Sequence, residues 1–207
     1  MTNPIQPMTI YLAGPEVFLA EAVALGQAKR AICHQYGFAG LYPLDNEVEA
    51  DSPPALGYAI SAANEALIRA ADIVVANLTP FRGPSADVGT VYELGFARGL
   101  GKRVAAYSQD PRLFSERSWQ LAGDPQQPFS PGALRDRDGL SIEEFGLHDN
   151  LMLEGGIRLA AGVFVCAAPP ATGIYQPQYP SEYHRLELFE QVIRTLAQQR
   201  DCGAWAR

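Results

Sequence analysis

With 207 residues, 47% of them hydrophobic and 19% charged, the chain can bury one substantial core and has the balance of an ordinary globular domain. Its net charge of −7 argues against a protein that grips nucleic acid polymers by their phosphates, which takes a basic face. Three scattered cysteines (Cys33, Cys166, Cys202), an N-terminus without a basic start or apolar run, and no apolar stretch near roughly 18 residues together predict a cytoplasmic protein with reduced thiols, away from membranes.

Residues 8–12 (MTIYL) are a short apolar run broken by Ala13-Gly14-Pro15, which reads as a buried strand and a turn. Residues 17–36 are rich in Ala, Leu and Glu and lack proline, so a helix closed by Gly37 is expected. Residues 38–42 form a second strand stopped by Pro43. Residues 53–71 follow as a helix, with proline at its start and apolar Ile60, Ala63, Leu67 and Ile68. The run 72–78 (DIVVANL) is apolar and β-branched, as a strand covered on both faces should be. After a loop over 79–86, residues 88–100 are expected to be helical and 103–108 to form a fourth strand.

Such alternation implies an α/β fold, because parallel strands need crossovers. Ligands of these sheets collect at the carboxyl ends of the strands, here the turns after Leu12, Tyr42 and Leu78. Residues 109–140, rich in Pro, Gly, Asp and Arg, read as a long excursion, a lid or an edge insertion. A helix over 149–161, a last strand over 163–167 and a terminal helix over 183–199 complete a single domain spanning 1–207.

Chemistry concentrates in Asp87-Val-Gly-Thr-Val-Tyr-Glu93-Leu-Gly-Phe-Ala97. Glu93 lies in the second turn of a helix, flanked by Val91, Leu94 and Phe96. A carboxylate held among apolar groups at a sheet edge is partly desolvated and becomes a better nucleophile. The alternative is an exposed helix glutamate. Asp87 reads equally as a ligand contact or an N-cap. Tyr11, ending the first strand, is a core phenol or a donor that holds a carboxylate in place. Gly95 and Gly99, four apart, would let this helix approach the sheet closely. No dinucleotide fingerprint, P-loop or GxSxG elbow occurs, and His34, His148 and His184 lack metal-ligand spacing; no cofactor or metal is expected.

Taken in order, Ile10-Tyr11-Leu12-Ala13-Gly14-Pro15, Tyr42-Pro43-Leu44-Asp45-Asn46, Ala71-Asp72 with the apolar run to Leu78, Asp87-x-Gly89-x-x-x-Glu93-Leu94-Gly95-x-Ala97, Gly101-Lys102 and Asn150-Leu151-Met152 resemble the nucleoside 2-deoxyribosyltransferase family over residues 10 to 152. The resemblance implies a flavodoxin-like three-layer sandwich around a parallel sheet of about five strands. It implies retaining transfer of 2-deoxyribose between purine or pyrimidine bases through a covalent intermediate on Glu93, oriented by Tyr11. Asp87 and Asn150 would contact the sugar 5′-hydroxyl, and Gly14 would line the substrate site. Asn150 and Met152 would complete a neighbouring subunit's site, so a homo-oligomer is implied.

Two positions depart from the family pattern. Asn64 stands where an aspartate usually serves the base side, and an asparagine has no titratable proton to give. Glu47 stands where a base-contacting glutamine is frequent, so Glu47 is expected to take over part of the acid role. A related class that hydrolyses 2′-deoxynucleoside 5′-monophosphates shares Tyr92-Glu93-Leu94-Gly95 but favours serines around the phosphate. Asp87 would repel that phosphate at short range. A non-catalytic nucleotide-binding module on the same fold is the third reading, and the pairing of Tyr11 with Glu93 argues against it.

Overall fold

Five short strands, β1 (Met8–Ala13), β2 (Phe38–Leu41), β3 (Ile73–Asn77), β4 (Arg103–Ser108) and β5 (Val163–Cys166), pair in parallel in the order β2-β1-β3-β4-β5. The computed structural model describes residues 6–46, 48–124, 126, 129–172 and 175–205; Glu47 therefore lies outside the described residues. Six helices connect and cover the strands: α1 (Ala22–Gln35), α2 (Pro53–Ala70), α3 (Val88–Gly99), α4 (Phe114–Ala122), α5 (Leu151–Leu159) and α6 (Glu187–Asp201).

Side chains alternate across a strand, so each strand feeds two cores. Ile10, Leu12, Ile73, Val75, Ala105 and Tyr107 point to one face, where they meet Cys33 of α1 and Phe189, Val192, Ile193 and Leu196 of α6. Tyr11, Ala13, Val74, Ala76, Val104 and Ala106 point to the other, against Ile68 of α2, Leu94 and Ala97 of α3, and Leu153 and Ile157 of α5. The result is a three-layer α/β sandwich. β3, in the middle of the sheet, is buried along its whole length, which accounts for its unbroken apolar sequence. No described helix is long and apolar enough to cross a membrane.

The first helix starts later than residue 17. Pro15–Phe18 winds as a single 3-10 turn instead, with Pro15 in its opening position, and Glu16 is drawn inward to a buried ion pair with Lys29 of α1. Burial of such a pair is costly, and further hydrogen bonds to Glu16 Oε1 offset part of that cost, while Glu16 Oε2 has no partner among the described residues. Asn77 Nδ2 and the Tyr107 hydroxyl donate to Glu16 Oε1 at 2.9 and 3.0 Å, while the Lys29 ammonium lies 5.2 Å from the centre of the Phe189 ring. These contacts fasten the turn after β1 to the ends of β3 and β4.

Gly95 and Gly99 do not face the sheet. The buried positions of α3 are Thr90, Leu94 and Ala97, and Gly95 lies about 100° around the helix from Leu94. A methyl added at Gly95 or Gly99 would meet nothing within 4 Å, so the smooth stripe faces outward. The excursion over 109–140 contains α4, which apolar periodicity could not reveal because its buried positions are Ser115 and Arg117. Arg117, 4% exposed, donates to the carbonyl oxygens of Pro84 (2.7 Å), Arg112 (2.5 Å) and His148, and so ties α4 to the loop before α3.

Candidate active site

β1 leads to β2 on one side of the sheet, and β3 leads to β4 on the other. The order 2-1-3-4-5 therefore changes direction between β1 and β3, and the loops following these strands diverge to open a crevice. A cavity of about 310 Å³ occupies it. Gly14 and Phe18 come from the turn after β1, Pro43 and Leu44 from the turn after β2, Ile60 and Asn64 from α2, and Asp87, Thr90 and Glu93 from α3. A small polar cluster inside an apolar wall is the usual make-up of a small-molecule site.

Glu93 sits one turn into α3 on the side that faces β1. Tyr11, fully buried in β1, donates its hydroxyl hydrogen to Glu93 Oε1 at 2.5 Å across 82 residues of sequence. Burial pushes the Glu93 carboxyl up to about 7; the Tyr11 bond opposes this and the nearby Asp87 charge adds to it. The same burial, with the Glu93 charge beside it, lifts the Tyr11 phenol well above its ordinary 10, so Tyr11 stays protonated and remains a donor. The exposed-glutamate alternative for Glu93 is thus ruled out. Tyr11 combines both of its readings, a core ring with its hydroxyl on a carboxylate.

Asp87 is the N-cap of α3 and also lines the cavity. Its Oδ2 caps α3, accepting from Thr90 N (2.9 Å) and Oγ1 (3.0 Å), while its side chain forms part of the cavity wall. Gly14 leaves room that a methyl could not use, because Cβ there would strike Glu16 Oε2 and lie 3.0 Å from Asn77 Cβ. Asn64 presents Oδ1 buried and without a hydrogen-bond partner, an acceptor open to a ligand N–H.

Asn150 and Met152 are not among the residues lining this cavity. They start α5, where Asn150 Oδ1 caps Met152 N at 3.0 Å and the Met152 side chain is 67% exposed. No described residue of 109–140 lines the cavity either. The apolar walls, Phe18, Leu44 and Ile60, escaped sequence reasoning; the spacing of Ile60 and Asn64, one helical turn apart, was the signal available for one of them. Among the described residues no three His, Cys, Asp or Glu side chains gather as a metal site requires. A larger depression of about 550 Å³ lies beyond residues 80–84, but its Arg112 and Arg117 are engaged by Asp110 and by backbone carbonyls.

Comparison with known proteins agrees with this fold. A family model described as nucleoside 2-deoxyribosyltransferase matches residues 10–152. An uncharacterized protein of Schizosaccharomyces pombe is 34% identical over 172 residues, covering 77% of this chain and 82% of its own. The solved structure of a 2-desoxiribosyltransferase from Leishmania mexicana superposes with a TM-score of 0.60 at 29% identity, covering 93% of this chain and 98% of that one. A conserved protein from Enterococcus faecalis V583 shares the fold, with a TM-score of 0.55 at 22% identity over 92% of this chain and 99% of its own.

Proposed function

Since this chain belongs to the nucleoside 2-deoxyribosyltransferase family, we propose that it transfers 2-deoxyribose from a 2′-deoxynucleoside to a second free base by double displacement on Glu93. The observation that carries this reading is the Tyr11–Glu93 hydrogen bond, set at the wall of a cavity at the sheet's switch point. A carboxylate with an ordinary value near 4.5 rests there at about 7, which marks it as stripped of water yet ionised in about half of the molecules at neutral pH. Fixed by one hydrogen bond to Oε1, it keeps Oε2 to attack.

In the first step a Glu93 oxygen attacks C1′ of the sugar as the C1′–N bond breaks, giving a deoxyribosyl ester and the departing base. The 2′-deoxy sugar lacks an electron-withdrawing hydroxyl, which eases its oxocarbenium-like transition state. The base leaves as a neutral molecule once its ring nitrogen is protonated. Asn64 offers an unpartnered acceptor that can orient a base N–H, and Glu47 is assigned a share of the proton delivery. A second base then attacks C1′ as the ester bond to Glu93 breaks, returns its ring N–H proton to the group that protonated the first base, and restores the original anomer, while Asp87 holds the 5′-hydroxyl. Transfer wins over hydrolysis to the extent that the bound second base displaces water from the cavity.

Assembly of copies belongs to the same reading. Val88 (84% exposed), Leu159 (80%) and Met152 (67%) leave apolar side chains on the outer faces of α3 and α5, beside the open stripe of Gly95 and Gly99. Covering them with a second copy removes this surface from water and lets Asn150 and Met152 complete the adjoining cavity.

Incubation with thymidine or deoxyinosine plus free adenine tests the function. Deoxyadenosine formed by the native protein and absent with Glu93→Ala is the expected result. Free base and deoxyribose without a new nucleoside would make it a hydrolase, and no turnover of nucleosides or nucleotides would leave a binding module.

A further inference from the structure

We infer that Glu143 is a positioning residue, whose carboxylate locks the Asn150 carboxamide in the orientation that meets a sugar 5′-hydroxyl. This inference rests on the role given to Asn150 above and names what enforces it. As the cap of α5, Asn150 is bonded through Oδ1 alone to Met152 N at 3.0 Å. A cap held at one atom can rock about its side-chain torsions. Glu143 removes that freedom: its Oε1 accepts from Asn150 Nδ2 at 2.6 Å and its Oε2 accepts from Leu151 N at 3.0 Å. The backbone N–H of Asn150 is fixed separately, donating to Asp149 Oδ1 at 2.7 Å.

The hydrogen-bond accounting leaves one group over. A carboxamide nitrogen carries two N–H donors, and Glu143 uses one. The remaining hydrogen is oriented by the same two bonds, at the N-terminal end of α5 that also carries the exposed Met152. A carboxylate acceptor also makes the bond stronger than a neutral oxygen would, and a negative charge at a helix N-terminus is favourable in its own right.

The segment that delivers Glu143 is itself anchored. Ile142 N donates to the Leu134 carbonyl at 3.0 Å, and the adjacent Glu144 accepts from Gly132 N at 2.9 Å and Leu134 N at 2.8 Å. The chain that follows the excursion over 109–140 is thus bonded back onto it just before it reaches Asn150.

Glu143 could instead serve only to stabilise the start of α5, and the two roles separate by substrate. kcat/KM is measured for native protein, Glu143→Ala and Glu143→Gln, with thymidine and with 5′-deoxythymidine as donors and adenine as acceptor. The expected result is a loss of about tenfold on thymidine with Glu143→Ala, the size of one lost charge-assisted bond, and a change of less than about twofold on 5′-deoxythymidine. Glu143→Gln keeps one acceptor for Asn150 and loses less, and it carries the comparison if Glu143→Ala does not fold. A second measurement is independent of the analogue: added to Asn150→Ala, the Glu143→Ala change should cost less than about twofold more. Equal losses on both donors, or a full additional loss in the Asn150→Ala background, overturn this inference alone. Absence of transfer in the native protein overturns the proposed function, and this inference with it.

Discussion

Replacing Glu93 by glutamine removes a charge from a place where charge is costly. The carboxyl has an ordinary value of 4.5 and is pushed to about 7, chiefly by burial. Between those values the folded protein holds a proton that the unfolded chain has released. The folded state is therefore favoured by acid, and the penalty is complete once pH exceeds the folded value. At about 1.36 kcal/mol for each pH unit of the gap, the ionised carboxylate costs roughly 3 kcal/mol at pH 8 and under about 1 kcal/mol at pH 5. Glutamine has the same shape, can still accept from the Tyr11 hydroxyl, and carries no charge at either pH. Glu93→Gln should therefore be inactive but more stable than native by about 2–3 kcal/mol at pH 8, an advantage that shrinks below about 1 kcal/mol at pH 5. In thermal unfolding at fixed protein concentration this corresponds to roughly 5–10 °C at the higher pH. An advantage that is the same at both pH values, or a variant less stable at pH 8, would refute the idea that Glu93 is held ionised at the expense of folding.

Two further substitutions test the site and its support. Tyr11→Phe removes the bond that draws Glu93 downward, so the acid limb of kcat/KM should move above pH 7, with a loss of about tenfold to a hundredfold at pH 7 that is partly recovered by pH 9. An unmoved limb in the pH–rate profile would mean that Tyr11 does not govern Glu93. Lys29→Met leaves Glu16 buried without its counter-ion and should cost about 3–5 kcal/mol in urea denaturation.

How much of this was legible depended on whether the signal was local. The strands could be read because burial on both faces forces an unbroken apolar run, as in β3, and their alternation with helices fixed the layer order. Asp87 could be read as a cap because capping needs only three residues. The Tyr11–Glu93 pair spans 82 residues, and no periodicity reports it; only the ordered blocks of the family resemblance brought the two together. The ion pair of Glu16 with Lys29 left no trace, since a buried glutamate looks like any other until its partners are known. Gly95 and Gly99 were placed on the wrong face because a small-residue spacing fixes a stripe but not which neighbour it meets. The helix α4 escaped because arginine, hydrogen-bonded to carbonyls, takes the place of an apolar anchor.

Asp149 gives the arrangement a mechanical consequence. Its buried carboxylate accepts from the Ser85 hydroxyl and from Ala86 N at 2.9 Å, just before Asp87, and from Asn150 N at 2.7 Å at the start of α5. One side chain is thus a pivot between the loop that serves this chain's own cavity and the group that the chain presents outward. The starts of α3 and α5 therefore share one buried anchor, and Asp149→Ala would loosen both helix starts at once.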